Sequence, residues 1–196
     1  HARHSRLEAE ALAKELPAGR ARVVALNLAD AGVVDGFFAG LSESVDVLIN
    51  NASLYSRDLA ASEGMFQVNC HAPVSLIRQF AGQCDDGAAV NLLDQEIAAP
   101  IPQRGAYSES KRALAEATRT LALELAPRIR VNGVAPGPVL PPVWLPSGRM
   151  EKTIPTLPLR RPVALADLVE ATMMLAANRS ITGAILFVDC GQSLTS

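Results

Sequence analysis

The 196-residue chain is poor in aromatics, at 4% of its residues, and has three cysteines and no large surplus of either charge. Scarce aromatics beside many Ala, Leu and Val weigh against an all-β sandwich and favour helices packed on aliphatic strands. Cys70, Cys84 and Cys190 are too few and too scattered for a disulfide framework or a zinc site. They read as reduced thiols of a cytoplasmic protein, and no metal is expected. A formal charge of −2 leaves no basic surplus to hold a phosphate backbone, so nucleic acid is not an expected partner. No apolar run approaches the roughly 18 residues of a membrane helix, and no membrane partner is expected. What is abundant is apolar side chain, at 49% against 19% charged, which is enough for a core.

Apolar β-branched runs alternate with helical stretches. Residues 22–28, 45–50, 88–93, 129–134 and 184–188 read as strands, nearly apolar throughout, as in parallel strands covered on both faces. Helices are expected over residues 6–16, 30–41, 61–83, 105–126 and 165–177. Such alternation implies βαβ crossovers and an α/β, doubly wound parallel sheet with helices on both faces, in a single domain. Residues 136–162 break the rhythm with eight prolines and the sole tryptophan, Trp144. Long loops in compact domains are usually functional, and this one is expected to be a lid over a pocket. Trp144 either caps a flat substrate or anchors that lid.

Tyr107 and Lys111 stand four apart near the start of an expected helix and therefore share a face. Around them, Asn50-Asn51-Ala52-Ser53 follows a strand, Asn69 lies inside a helix, and Asp94 ends a strand thirteen residues before Tyr107. The string Asn132-Gly133-Val134-Ala135-Pro136-Gly137 follows the next strand, and Ile181-Thr182-Gly183 and Asp189-Cys190-Gly191 close the chain. Ligands of open α/β sheets bind at the carboxyl ends of strands, where several of these residues fall.

In this order and spacing, the motifs resemble the short-chain dehydrogenase/reductase family over the length of the chain. The resemblance implies a Rossmann-type fold using a nicotinamide dinucleotide. It makes Tyr107 the proton donor or acceptor and Lys111 the holder of the nicotinamide ribose, its charge favouring tyrosine ionisation. Asn69 would help carry a proton-relaying water. Asn27, Leu28, Asn51, Ala52, Pro136, Gly137 and Val139 are further expected cofactor contacts. Arg3, His4 and Ser5 lie where the adenosine ribose is read. They offer donors to a 2′-phosphate and so point to NADP(H). The alternative for this stretch is a solvated terminus with Ser5 as helix cap.

The departures from the family pattern are informative. Most members have serine where this chain has Asp94, and a carboxylate is a poor partner for a developing oxyanion. It suits a substrate that offers N–H donors or is protonated on nitrogen. Asp94, with NNAS in place of NNAG, resembles the pteridine-reductase branch, including dihydromonapterin reductases. Ser53 and Tyr55 then match positions that contact and stack on the pterin. The expected activity is NADPH-dependent reduction of a pterin C=N bond. An ordinary carbonyl or alcohol oxidoreductase of the family is the alternative, and a non-catalytic Rossmann-like binding subunit is another.

The family's Gly-rich turn is missing, and the resemblance begins at the end of the second strand. The expectation is that roughly forty further N-terminal residues belong to the functional protein, because the first strand is central to such sheets. By resemblance a homotetramer is expected, built on residues 61–83, residues 105–126 and the last strand, acting on a small molecule. Asp189 matches a structural position, and His71 is expected to pack or to meet a subunit.

Overall fold

The computed structural model describes residues 5–17, 19–56, 58–99, 105–141 and 148–195. Four parallel strands, β1 (Val47–Asn50), β2 (Gly87–Leu92), β3 (Ile129–Pro136) and β4 (Ile185–Val188), lie side by side in chain order. Each strand matches an apolar run of the sequence to within two residues at either end. The helices are α1 (Arg6–Lys14), α2 (Ala31–Asp35), α3 (Ser62–Phe66), α4 (Ala72–Gln83), α5 (Gly105–Glu124), α6 (Arg149–Thr153) and α7 (Leu165–Ala177).

The two-residue period of a strand sends alternate side chains to opposite faces. Ala89, Ile129 and Val131 point into a core with Ile77 and Phe80 of α4 and Leu121 and Ala122 of α5. Val90, Leu92 and Val134 pack on the other face against Leu175 and Ala176 of α7. β2 is buried along its whole length because both faces are covered. That explains why its run is nearly apolar throughout. β1 is covered on one side only: Leu48 joins the α4–α5 core, whereas Val47 and Ile49 are each 42% exposed.

Each of β1, β2 and β3 carries one asparagine, and each bonds sideways. Asn50 Nδ2 donates to Asn91 Oδ1 at 2.9 Å in the register that pairs these two residues. Asn91 in turn donates to Thr118 Oγ1 of α5 at 2.9 Å. Asn132 donates to the Ile181 carbonyl and accepts from the Ala184 amide, which fixes the entry into β4. A buried amide with all its groups bonded specifies register at little cost.

Three expectations on the elements need correction, the first being the helix over residues 30–41, which is broken into α2 and a 3-10 turn at Phe38–Gly40. Residues 22–28 form no strand; Ala25 makes an isolated bridge and the segment is otherwise irregular. A strand exists only through its ladder, and this segment makes a single bridge and no ladder among the described residues. Its Leu26 and Leu28 are still buried in the α4–α5 core. The expected helix over residues 61–83 is present but not uniform. Between α3 and α4 the chain makes a π-helical turn, Gln67–His71. Single π turns inside α-helices widen the backbone locally and gather at functional sites.

Among the described residues, the proline-rich segment has only short elements, α6 and a 3-10 turn at Ile154–Thr156. Leu157 and Val163 nevertheless anchor in the core. Gly191 approaches Pro158 so closely that a Cβ would lie 2.8 Å from its ring, and its φ of +85° also favours glycine.

Candidate active site

The carboxyl ends of the strands gather the polar residues. Asp94 leaves β2 in an extended conformation and caps a 3-10 turn, Gln95–Ile97. Its Oδ1 accepts from the Glu96 amide at 3.0 Å, and its Oδ2 accepts from the Tyr107 hydroxyl at 2.8 Å. One carboxylate therefore spans the strand-end turn and the first turn of α5. Lys111 lies one helical turn beyond Tyr107, and its Nζ donates to the Leu92 carbonyl at 2.8 Å. An ammonium has three N–H donors, and this bond uses one.

Lys111 is only 2% exposed. Burial disfavours the charged form and draws its pKa from 10.5 to about 8, while the Asp94 charge acts in the opposite direction. The Tyr55 ring meets Tyr107 edge to face, with centroids 5.2 Å apart. Tyr55, Asp94, Tyr107 and Lys111 thus form one contiguous group.

Asn69 sits in the middle of the π turn, wholly buried. Its Oδ1 accepts from the Leu54 amide at 2.7 Å and from Ser53 Oγ at 3.2 Å. Its Nδ2 donates to the Leu54 carbonyl at 2.8 Å and to Ser110 Oγ at 3.0 Å. Ser110 Oγ donates to the Tyr107 carbonyl at 2.8 Å. Asn69 thereby fastens the loop after β1 to α5, and its side chain is fully engaged. The Ser53 hydroxyl proton also goes to Asn69, so toward a ligand Ser53 offers its oxygen as an acceptor.

A second group of expected residues lines a cavity of about 290 Å3: Leu28, Asn51 and Ala52, with Leu26, Phe37 and Pro73 around them. Asn27 accepts from the Ala29 amide and shapes the turn beside it. At the end of β3, Pro136 and Val139 are half-buried. Gly137 has a reason internal to the fold, since a Cβ there would lie 2.7 Å from the Asp189 Cα. Its amide donates to the Val188 carbonyl at 3.0 Å. Asp189 accepts from the amides of Gly191 and Ser193 and holds the turn after β4. Ser5 occupies the N-cap position of α1 without a capping bond from its side chain, and α1 buries none of its residues. Packing therefore does not fix Ser5 against the sheet. Arg3, His4 and Trp144 lie outside the described residues. His71 is exposed, with its ring tilted against Phe66. Cys70 and Cys84 are buried, and burial pushes the Cys70 thiol up.

Sequence reasoning missed three residues beside Asp94 and Tyr107. Glu96 is 1% exposed and accepts from Ser108 Oγ at 2.7 Å. Gln95 is buried, and its Oε1 is the one buried side-chain N or O atom without a partner among the described residues. Glu96 stands two positions after the strand-end Asp94, and no local signal marked it as buried, because solvated glutamates are common and buried ones are rare.

A family model described as enoyl-(acyl carrier protein) reductase matches residues 1–193. The chain is 41% identical to a glucose 1-dehydrogenase of Gluconobacter oxydans over 102 residues, covering 48% of this chain and 38% of that protein. It is 32% identical over 184 residues to pteridine reductase 1 of Leishmania tarentolae, covering 76% and 63%. The chain thus spans less than two thirds of either relative. Among solved structures, FolM alternative dihydrofolate reductase 1 of Brucella canis, complexed with NADP, superposes with a TM-score of 0.89 at 37% identity. The superposition covers 99% of this chain and 82% of that one.

Proposed function

This chain belongs to the short-chain dehydrogenase/reductase family, and from that membership we propose that it is an NADPH-dependent reductase of a pterin-like C=N bond. The single observation that carries the reading is the bond from the Tyr107 hydroxyl to the Asp94 carboxylate. A carboxylate beside the proton donor repels a developing oxyanion but accepts from the N–H groups of a pterin. Likeness to a pteridine reductase and to an alternative dihydrofolate reductase complexed with NADP supports the same choice.

The residues present fit the cofactor. The cavity at Leu28, Asn51 and Ala52 suits its adenosine end. Lys111 has donors left for the nicotinamide ribose, and Tyr107, Pro136, Gly137 and Val139 lie at the strand ends beyond. Arg3, His4 and Ser5 are assigned to the 2′-phosphate by their chemistry. When bound, NADPH supplies the hydride.

The chain's own residues do the rest. Tyr107 gives its phenolic proton to the ring nitrogen, and the Lys111 ammonium stabilises the phenolate left behind. Solvent then returns the proton. Asp94 and the Ser53 oxygen accept from the pterin N–H groups, and the Tyr55 ring stacks on it. Asn69 holds the Ser53–Leu54 loop at the working distance.

The test is NADPH oxidation with dihydrobiopterin as acceptor. Turnover well above background is expected, and Tyr107→Phe should abolish it while retaining NADPH binding. Reduction of ketones without any reduction of the pterin would overturn the substrate assignment and favour a carbonyl reductase.

A further inference from the structure

Two groups must stay aligned for this chemistry, Asp94 on the turn after β2 and Tyr107 on the first turn of α5. They sit on different elements, thirteen residues apart, and are linked by one hydrogen bond of 2.8 Å. Glu96 touches both sides of that junction. Its backbone amide donates to Asp94 Oδ1 at 3.0 Å, and its carboxylate accepts from Oγ of Ser108, the residue following Tyr107, at 2.7 Å. Both side chains are 1% exposed.

Placing a carboxylate in an apolar interior costs several kcal/mol unless strong hydrogen bonds offset it. An apolar side chain of equal size would avoid that cost but would lose the bond to Ser108. What Glu96 adds is a directional tie between the strand-end turn and the helix that carries the proton donor. We propose that Glu96, through Ser108, is a positioning residue that holds Tyr107 in register with Asp94. The inference rests on the role given above to the Asp94–Tyr107 pair. Glu96 itself need not touch the substrate.

The test compares Glu96→Ala, Glu96→Gln and Ser108→Ala with the parent protein. Turnover of NADPH and dihydrobiopterin should fall about 10-fold in kcat for Ser108→Ala and Glu96→Ala, since small misplacements of reacting groups are costly. KM for NADPH should stay within about two-fold of the parent, because the cavity at Leu28 and Asn51 is untouched. Glu96→Gln keeps an acceptor for the Ser108 hydroxyl and should recover most of the rate.

A second readout does not need activity. The chain has two tyrosines, so protein labelled at tyrosine Cζ gives two carbon signals, and Tyr55→Phe identifies that of Tyr107. That signal should move in Ser108→Ala and return toward the parent position in Glu96→Gln. If folded Ser108→Ala keeps both the parent kcat and the parent Tyr107 signal, the inference is wrong. It is also wrong if Glu96→Gln is as impaired as Glu96→Ala. Should the parent protein fail to reduce dihydrobiopterin, the functional reading falls, and the tyrosine signal still decides the role of Glu96.

Discussion

Lys111 is a place where function and stability pull in opposite directions, and the size of the conflict follows from its burial. An ordinary lysine holds its proton up to a pKa of 10.5, whereas buried Lys111 releases it at about 8. At roughly 1.4 kcal/mol per pH unit, carrying the charge costs the fold about 3 kcal/mol at neutral pH. Replacement by methionine, of similar length, removes that penalty but also the bond to the Leu92 carbonyl. Losing that bond costs about 1 kcal/mol. Lys111→Met should therefore be more stable than the parent by about 2 kcal/mol at pH 7, while losing turnover.

The pH dependence makes this prediction specific. Because the folded-state pKa lies below the unfolded one, the unfolded chain binds more protons between pH 8 and 10.5. Stability of the parent protein therefore rises with pH through that window. The advantage of the methionine variant is full below pH 8 and shrinks between pH 8 and 10.5. Above that window the variant should be the less stable protein by about 1 kcal/mol. Urea unfolding of the cofactor-free proteins from neutral to alkaline pH measures the difference, and groups common to both cancel. A difference that does not change with pH, or a variant less stable at pH 7, would refute the reasoning.

Asp94→Ser should lower turnover with dihydrobiopterin by at least about 100-fold and raise that with ketones, as a hydroxyl tolerates an oxyanion that a carboxylate repels; parallel assays with both acceptors check this. Gly137→Ala should lower stability by about 1–3 kcal/mol, because its Cβ would meet the backbone of Asp189, which cannot turn aside; urea unfolding measures it. Asn69→Ala should loosen the loop at Ser53 and Leu54, seen as faster hydrogen exchange of the Leu54 amide, which now donates to Asn69 at 2.7 Å.

Much of the fold was legible because parallel strands buried on both faces are written as nearly apolar runs. β2 and β3 are of this kind, and Asn91 and Asn132 within them mark the sideways bonds that pin register. Residues 22–28 carry the same kind of run and yet form no strand, because a run encodes burial and not the presence of a pairing partner. The Tyr107–Lys111 spacing was readable, since a four-residue separation on a helix puts two side chains on one face. The tie from Glu96 to Ser108 was not. It joins two elements that meet only after the chain has crossed from β2 to α5, and nothing in the local pattern tells a buried glutamate from a solvated one. The π turn around Asn69 was equally hidden, as its residues are ordinary helix formers and the turn shows only in the backbone.

The central claim is that a hydride reaches a pterin ring carbon while Tyr107 protonates the adjacent nitrogen. Its most direct test is a turnover with dihydrobiopterin and NADPH deuterated at the transferred position, with the product analysed by mass spectrometry and NMR. The account predicts one deuterium per product molecule, on the ring carbon of the former C=N bond, and none in product from Tyr107→Phe. A pterin recovered without deuterium while NADPH is consumed, or full transfer by Tyr107→Phe, would contradict it.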